Sequence, residues 1–237
     1  MPDNDDDRGD YDLSENREAL GAPTDVAVAL HAGSALFNEG FVLAAHDPWE
    51  AAWLPLDANG AVDAGEYGDD ERLLHGLIAT AAATHHATDR NWAGAVGCAE
   101  NAVDYLTPIE PQYRGLALDP VREWCRRLAA DPETVERRGR PDIRIDERVV
   151  GFADLDLAAT TVAAPVVAET VTSGEKGVVS AAADLAREEY GTGRSTIAEL
   201  LFSFLQHPDS RPQIAARLAD RVERAERKRR DVDDLFE

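Results

Sequence analysis

The 237-residue chain carries 46 acidic against 24 basic residues, a net charge of −22, and is 44% hydrophobic. That apolar content suffices for one ordinary domain with an appendage, or for two small ones. The negative field disfavours a nucleic acid or an anionic membrane as partner. Only Lys176 and Lys228 are lysines; every other base is arginine. Acids spread along the whole chain, few lysines and many alanines suit a salt-adapted cytoplasm, where screening removes self-repulsion and hydrated carboxylates keep the surface soluble. The rival reading is a surface for a basic partner.

Residues 1–22 are dense in Asp, Asn, Glu and Gly and read as a disordered acidic tail, with no signal peptide. Thr24 or Asp25 caps a first helix to about Asn38, which Gly40 ends. A second helix runs through Trp53, and residues 57–70 read as a polar, glycine-rich loop. A third spans about 70–87. A fourth, capped by Asp89 or Asn91, reaches Leu106, and a fifth covers about 119–130. Cys98 and Cys125 lie in apolar helical settings without CxxC spacing, as reduced core residues do.

Beyond residue 131 the pattern is less regular. Ile143–Ile145 and Val149–Phe152 alternate as a short β-hairpin, and 153–173 is ambiguous between helix and strand. Its low-charge run from Leu157 to Ala168 is too short to span a bilayer. Three helices follow: about 175–190, one opened by the capping box Thr196-Ile197-Ala198-Glu199 and reaching about Gln206, and one from Ser210-Arg211-Pro212-Gln213 to the C-terminus. The expectation is an all-α bundle in three parts: the tail 1–22, a helical domain 23–131 and a C-terminal helical extension 132–237.

The chemistry-bearing stretch is Ala45-His46-Asp47-Pro48-Trp49-Glu50-Ala51-Ala52-Trp53. His46, Glu50 and Trp53 stand at i, i+4 and i+7 and so share one helix face. An imidazole and a carboxylate one turn apart can bind a divalent transition metal, and His85 from a facing helix would supply a third ligand. Asp47 and His75 are further candidates. His75 and His86 lie about 16 Å apart along a helix axis and cannot share an ion. The plainer alternative is a hydrogen-bonded His–Glu network with Trp53 as core anchor.

The final helix carries Arg224, Arg227, Lys228, Arg229 and Arg230. Asp220–Arg224, Glu223–Arg227 and Glu226–Arg230 are acid-before-base pairs at i, i+4, the pattern of a solvated face. Ile214, Leu218 and Val222 form its apolar stripe, available for the body or for another copy.

Phe37, Asn38 and Gly40, then Ala45, His46, Glu50 and Trp53, then Leu73, Leu74, Gly76, Leu77 and Ile78, then Ala81, Ala82, Ala83 and His85, then Asn91, Gly94 and Ala95 together resemble an uncharacterised helical family, domain of unknown function 309. The resemblance covers about residues 33–118, in an acidic version of haloarchaeal type. Asp47 stands where the family usually has Glu, and His75 where Gln is common. Pro48, next to Asp47, leaves the helix to kink or restart there. The resemblance implies a compact all-helical domain and no established activity.

Three functions are therefore carried forward. The first is a non-catalytic binding or structural module organised by the His/Glu/Trp cluster. The second is a metal-dependent, hydrolase-like enzyme with His46, Glu50 and His85 as ligands. The third is an interaction protein using the Arg-rich last helix, with self-association through the C-terminal helices.

Overall fold

The computed structural model describes residues 25–58, 68–171, 175–189 and 195–233, with nothing said of the side chains at 57, 58, 232 and 233. The tail 1–22 and most of the 57–70 loop lie outside the described residues. As expected, the described chain is predominantly α-helical, with one small sheet.

The helices are α1 (Val26–Asn38), α2 (His46–Ala58), α3 (Asp69–Thr88), α4 (Trp92–Leu106), α5 (Asp119–Ala130), α6 (Thr134–Arg137), α7 (Leu157–Thr170), α8 (Lys176–Glu188), α9 (Thr196–Gln206) and α10 (Arg211–Asp233). Their ends follow local chemistry. Asp25 accepts from the amides of Ala27 and Val28, and Asn91 from that of Gly94. At the end of α1, Gly40 takes φ +96° while the Phe41 amide bonds the Leu36 carbonyl, a helix stop that favours glycine. α9 is capped by Ser195, whose Oγ accepts from Ala198 N; Thr196 is already helical, so the expected Thr196–Glu199 box is displaced by one residue.

α2 begins at His46 and keeps Pro48 in its first turn, where no amide partner is needed. It continues past Trp53 and past Pro55. α7 resolves the ambiguous stretch as a helix containing Pro165. Proline lacks an N–H, so the carbonyl four residues back, that of Thr161, loses its helical partner. Arg187 of α8 supplies one: Nη2 donates to Thr161 O at 3.0 Å and Nε to Thr161 Oγ1 at 3.1 Å.

The expected hairpin is present as β3 (Arg144–Ile145) and β4 (Arg148–Val149), but it is half of a four-stranded antiparallel sheet. β1 (Gln112–Tyr113) and β2 (Leu116–Ala117) form a second hairpin, joined by the pairing of Leu116 with Ile145. Both turns, Arg114-Gly115 and Asp146-Glu147, have two left-handed residues, the twist that two-residue hairpins favour. The β1–β2 hairpin rests on α3, where Tyr113 Oη donates to Asp70 Oδ1 at 2.9 Å and Arg114 forks onto both Asp70 oxygens.

One continuous core runs from Ala29 in α1 to Val222 in α10, so the C-terminal helices share it with the N-terminal ones. Ile214, Leu218 and Val222 are buried, as the stripe predicts. Small residues set the helix spacing. A Cβ on Gly76 of α3 would lie 2.5 Å from Leu106 Cγ of α4. On α3, Thr80 and Thr84 bond the carbonyls four residues back and also meet α5, through Cys125 Sγ at 3.3 Å and Trp124 Nε1 at 2.9 Å. Among the described residues no helix is long and apolar enough to cross a membrane.

Three further arginines take up helix-end carbonyls. Arg122, only 5% exposed, donates through Nε and Nη2 to Leu106 O (3.0 and 2.7 Å) and through Nη2 to Ile109 O. Arg140 closes α1 by donating to Phe37 O and Asn38 O at 3.0 and 2.8 Å. Arg211 closes α9 through Phe204 O and Leu205 O at 3.0 and 3.3 Å. A lysine in place of Arg122 presents one nitrogen where two now donate to carbonyls. Arg122→Lys is expected to cost about 2–3 kcal/mol, since buried carbonyls lose partners. Urea unfolding measures it, and an unchanged midpoint would show the fork to be dispensable.

Candidate functional site

Of the clustered polar residues of α2, Glu50 is buried, while His46 and Asp47 at the start of the helix keep about a third of their side chains exposed, 32% and 36%. Trp49 is fully buried, and its ring lies on Gly33 of α1: a Cβ there would come within 2.3 Å of Trp49 Nε1. That crossing fixes the rotation of α2. Glu50, one residue on, is consequently only 4% exposed. Trp53, 7% exposed, reaches α3, where its ring centroid is 4.8 Å from that of His75. His75 in turn stacks on Tyr105 of α4 at 4.1 Å and 22°. A Trp–His–Tyr column thus ties three helices together. The indole N–H groups of Trp49 and Trp53 have no hydrogen-bond partner among the described residues.

His46 approaches Asp47 on its own helix, Nδ1 to Oδ1 at 2.6 Å, as an ion-pair contact rather than an aligned hydrogen bond. Burial by itself lowers the imidazole pKa. The Asp47 contact, the Asp47 and Glu50 charges and the Leu43 carbonyl outweigh it, and the net shift is upward. Glu50 is also raised, chiefly by burial, with His46 opposing and Asp47 adding to the shift. His85 lies 3.3 Å from Asp89 on its own helix and faces His86 at 6.0 Å between ring centroids. His86 is lowered by burial and by His85, with Asp89 opposing, and contacts Asn91 Nδ2 at 3.3 Å.

The structure therefore gathers Trp53 and His75 into one column, places His46, Asp47 and Glu50 together on α2, and leaves His85 with its own acid. Among the described residues no group of three or more His, Cys, Asp or Glu is placed to hold a metal ion. Among the described residues His46, Glu50 and His85 do not form such a group.

Asn38 has the largest set of long-range bonds in the motif. Its Nδ2 donates to Ile143 O (2.9 Å) and Val150 O (2.8 Å), and its Oδ1 accepts from Ile143 N at 2.8 Å. Glu39 beside it accepts from Phe152 N at 3.3 Å. The segment that carries β3 and β4 is thus stitched to the end of α1. Phe37 is fully buried and lies under the Arg140 guanidinium, 5.5 Å from its ring centroid.

Residues 30–98 match the family model described as Domain of unknown function (DUF309). This stretch holds every residue that carried the resemblance, from Phe37 to Ala95. It ends within α4, short of the expected limit near residue 118. No curated protein matches the chain. Within the DUF309 stretch the residues with the clearest geometric roles are Gly33 against Trp49, Asn38 on the β-hairpin, Gly40 at the helix stop, Gly76 against Leu106 and Asn91 as cap.

Two residues of this neighbourhood escaped sequence reasoning. Trp49 stands at i+3 from His46 and i−4 from Trp53, a signal present in the helical spacing. Tyr105 lies beyond the motif and gave none.

Two outcomes follow. Asn38→Ala removes three hydrogen bonds and leaves two carbonyls and an amide without their partner, an expected loss of about 2–4 kcal/mol in chemical denaturation. A loss under about half a kcal/mol would show water replacing the amide. For Glu50, a raised pKa means that the folded state holds the proton more tightly than the unfolded chain. Ionisation then destabilises the fold from about pH 4.3 upward and reaches its full cost above the folded pKa. The melting temperature of Glu50→Gln relative to the parent should rise across that window, by differential scanning calorimetry. A gap that narrows with rising pH would mean that His46 attraction outweighs burial.

Proposed function

We propose that the chain is a non-catalytic binding or structural module, with the His46/Asp47/Glu50 group and the Trp53–His75–Tyr105 column as its organising centre. The observation that carries this reading is the use to which the motif is put. Asn38, the residue with the most specific geometry, spends all three of its bonds holding backbone 105 and 112 residues away. Gly33 and Gly76 serve close packing, and the stacked rings join helices. Such residues make a rigid platform rather than a reaction site.

Further support comes from the nucleophile side. Cys125 is buried and its thiol is pushed up to about 11, chiefly by burial, so it stays protonated and inert. Cys98 is raised for the same reason. Both are free thiols, which fits a reducing cytoplasm, and the charge of −22 fits a salt-adapted one.

The test is elemental analysis of protein purified without chelator or affinity tag, beside the His46→Ala variant. The module reading expects only trace transition metal in both. A stoichiometric amount that disappears with His46→Ala would overturn it in favour of the metal-dependent alternative.

A further inference from the structure

The last helix was expected to neutralise its own arginines, and it does so only in part. Arg227 pairs with Glu223 at 2.6 Å, and Arg229 reaches back to Glu188 of α8. The expected pairs Asp220–Arg224 and Glu226–Arg230 are absent among the described residues. Arg217, Arg221 and Arg224 all point at solvent, and none of the three is ion-paired or hydrogen-bonded among the described residues.

These three arginines line one groove between α9 and α10, of about 340 Å³, together with Asp220, Thr196 and Leu200. Spacings of four and three residues place them along about 10 Å of helix. Leu200 is half-buried and gives the groove an apolar floor. In a chain with almost twice as many acids as bases, three unpaired guanidinium groups gathered along one helix face stand out.

We propose that the α9–α10 groove is a docking site for an acidic amphipathic segment of a partner protein. The partner's apolar side chain covers Leu200, and its carboxylates take the bidentate guanidinium faces of Arg217, Arg221 and Arg224. Charge complementarity selects the acids. The shortness of the strip, the Asp220 carboxylate within it and the net charge of −22 select against a nucleic-acid strand, whose affinity comes from many phosphates along an extended basic surface. At about 0.15 M salt the screening length is about 8 Å, so repulsion from the more distant acidic body is damped while contact pairs at the groove persist. This surface stands on residues other than the α2 cluster, so its failure leaves the module reading untouched.

The experiment uses the full chain and a fluorescein-labelled synthetic helical peptide in which leucines are flanked by glutamates and no basic residue is present. Anisotropy at about 0.15 M salt is expected to show saturable binding. The triple variant Arg217→Ala, Arg221→Ala, Arg224→Ala should weaken it about tenfold or more, the sum of three rim pairs. Arg221→Glu should also lose the glutamate peptide, and should gain affinity for the same peptide carrying lysines. All three positions are exposed, and an unchanged circular dichroism spectrum verifies folding. Equal binding by parent and triple variant would overturn the proposal. So would tighter binding of a single-stranded oligothymidylate than of the peptide, or arginine-dependent self-association in sedimentation, which would place a second copy in the groove.

Discussion

The fold depends on guanidinium groups that reach carbonyls no helix can satisfy for itself. Every α-helix leaves its last carbonyls without intrahelical partners, and an internal proline orphans one more. Here Arg140, Arg122 and Arg211 serve the ends of α1, α4 and α9, and Arg187 serves the gap left by Pro165 in α7. Each guanidinium joins two parts of the chain while meeting a backbone demand. A lysine has one nitrogen and three donors that cannot spread over carbonyls several ångströms apart, whereas the planar fork can. The near absence of lysine thus has a structural side.

Asn38 repeats the logic with an amide. Because its side chain both donates and accepts, it can close on a strand-like segment as another strand would, and it fixes the position of Ile143 and Val150 relative to α1. Arg140 approaches from the same segment, so the helix end and the segment satisfy each other. Neither is complete alone. Only residues 39–45 separate the last turn of α1 from α2, and the position of Trp49 against Gly33 sets the burial of Glu50. The polar group on α2 is therefore held by a joint more than a hundred residues away in sequence.

What could be read in advance followed from short-range physics. The 3.6-residue period together with local stops, namely Asp25, Gly40 and Asn91, located α1, α3 and α4 closely, and the His46–Glu50–Trp53 face was a matter of spacing. α7 was hidden because Ala, Thr and Val give no amphipathic contrast, and because Pro165 argues for a break that Arg187 repairs from another helix. β1 and β2 were hidden because two-residue strands carry no period, and the Arg114-Gly115 turn is a weak signal by itself. His85 was assigned to His46 across a seam, yet each imidazole settled on the nearest acid of its own helix. Spacing shows that two groups share a face; it does not rank the partners on the opposing element. Asn38 was seen as part of a phrase, but its partners at residues 143 and 150 lay beyond any local reading.

The two uses of arginine respond differently to salt. A surface pair such as Arg227–Glu223 depends on net charges in water, and at molar ionic strength the screening length falls to about 3 Å, so it contributes little. Arg122 is buried, and its carbonyl partners are fixed dipoles in contact; mobile ions neither enter nor screen that arrangement. An acidic protein that relied on surface ion pairs for its tertiary contacts would loosen as salt rose. One that sets several of its arginines onto backbone carbonyls keeps those contacts as salt rises and leaves the carboxylates outside to hold water. On that ground Arg217, Arg221 and Arg224, exposed side by side along the α9–α10 groove, are conspicuous: they are bases that the fold does not use.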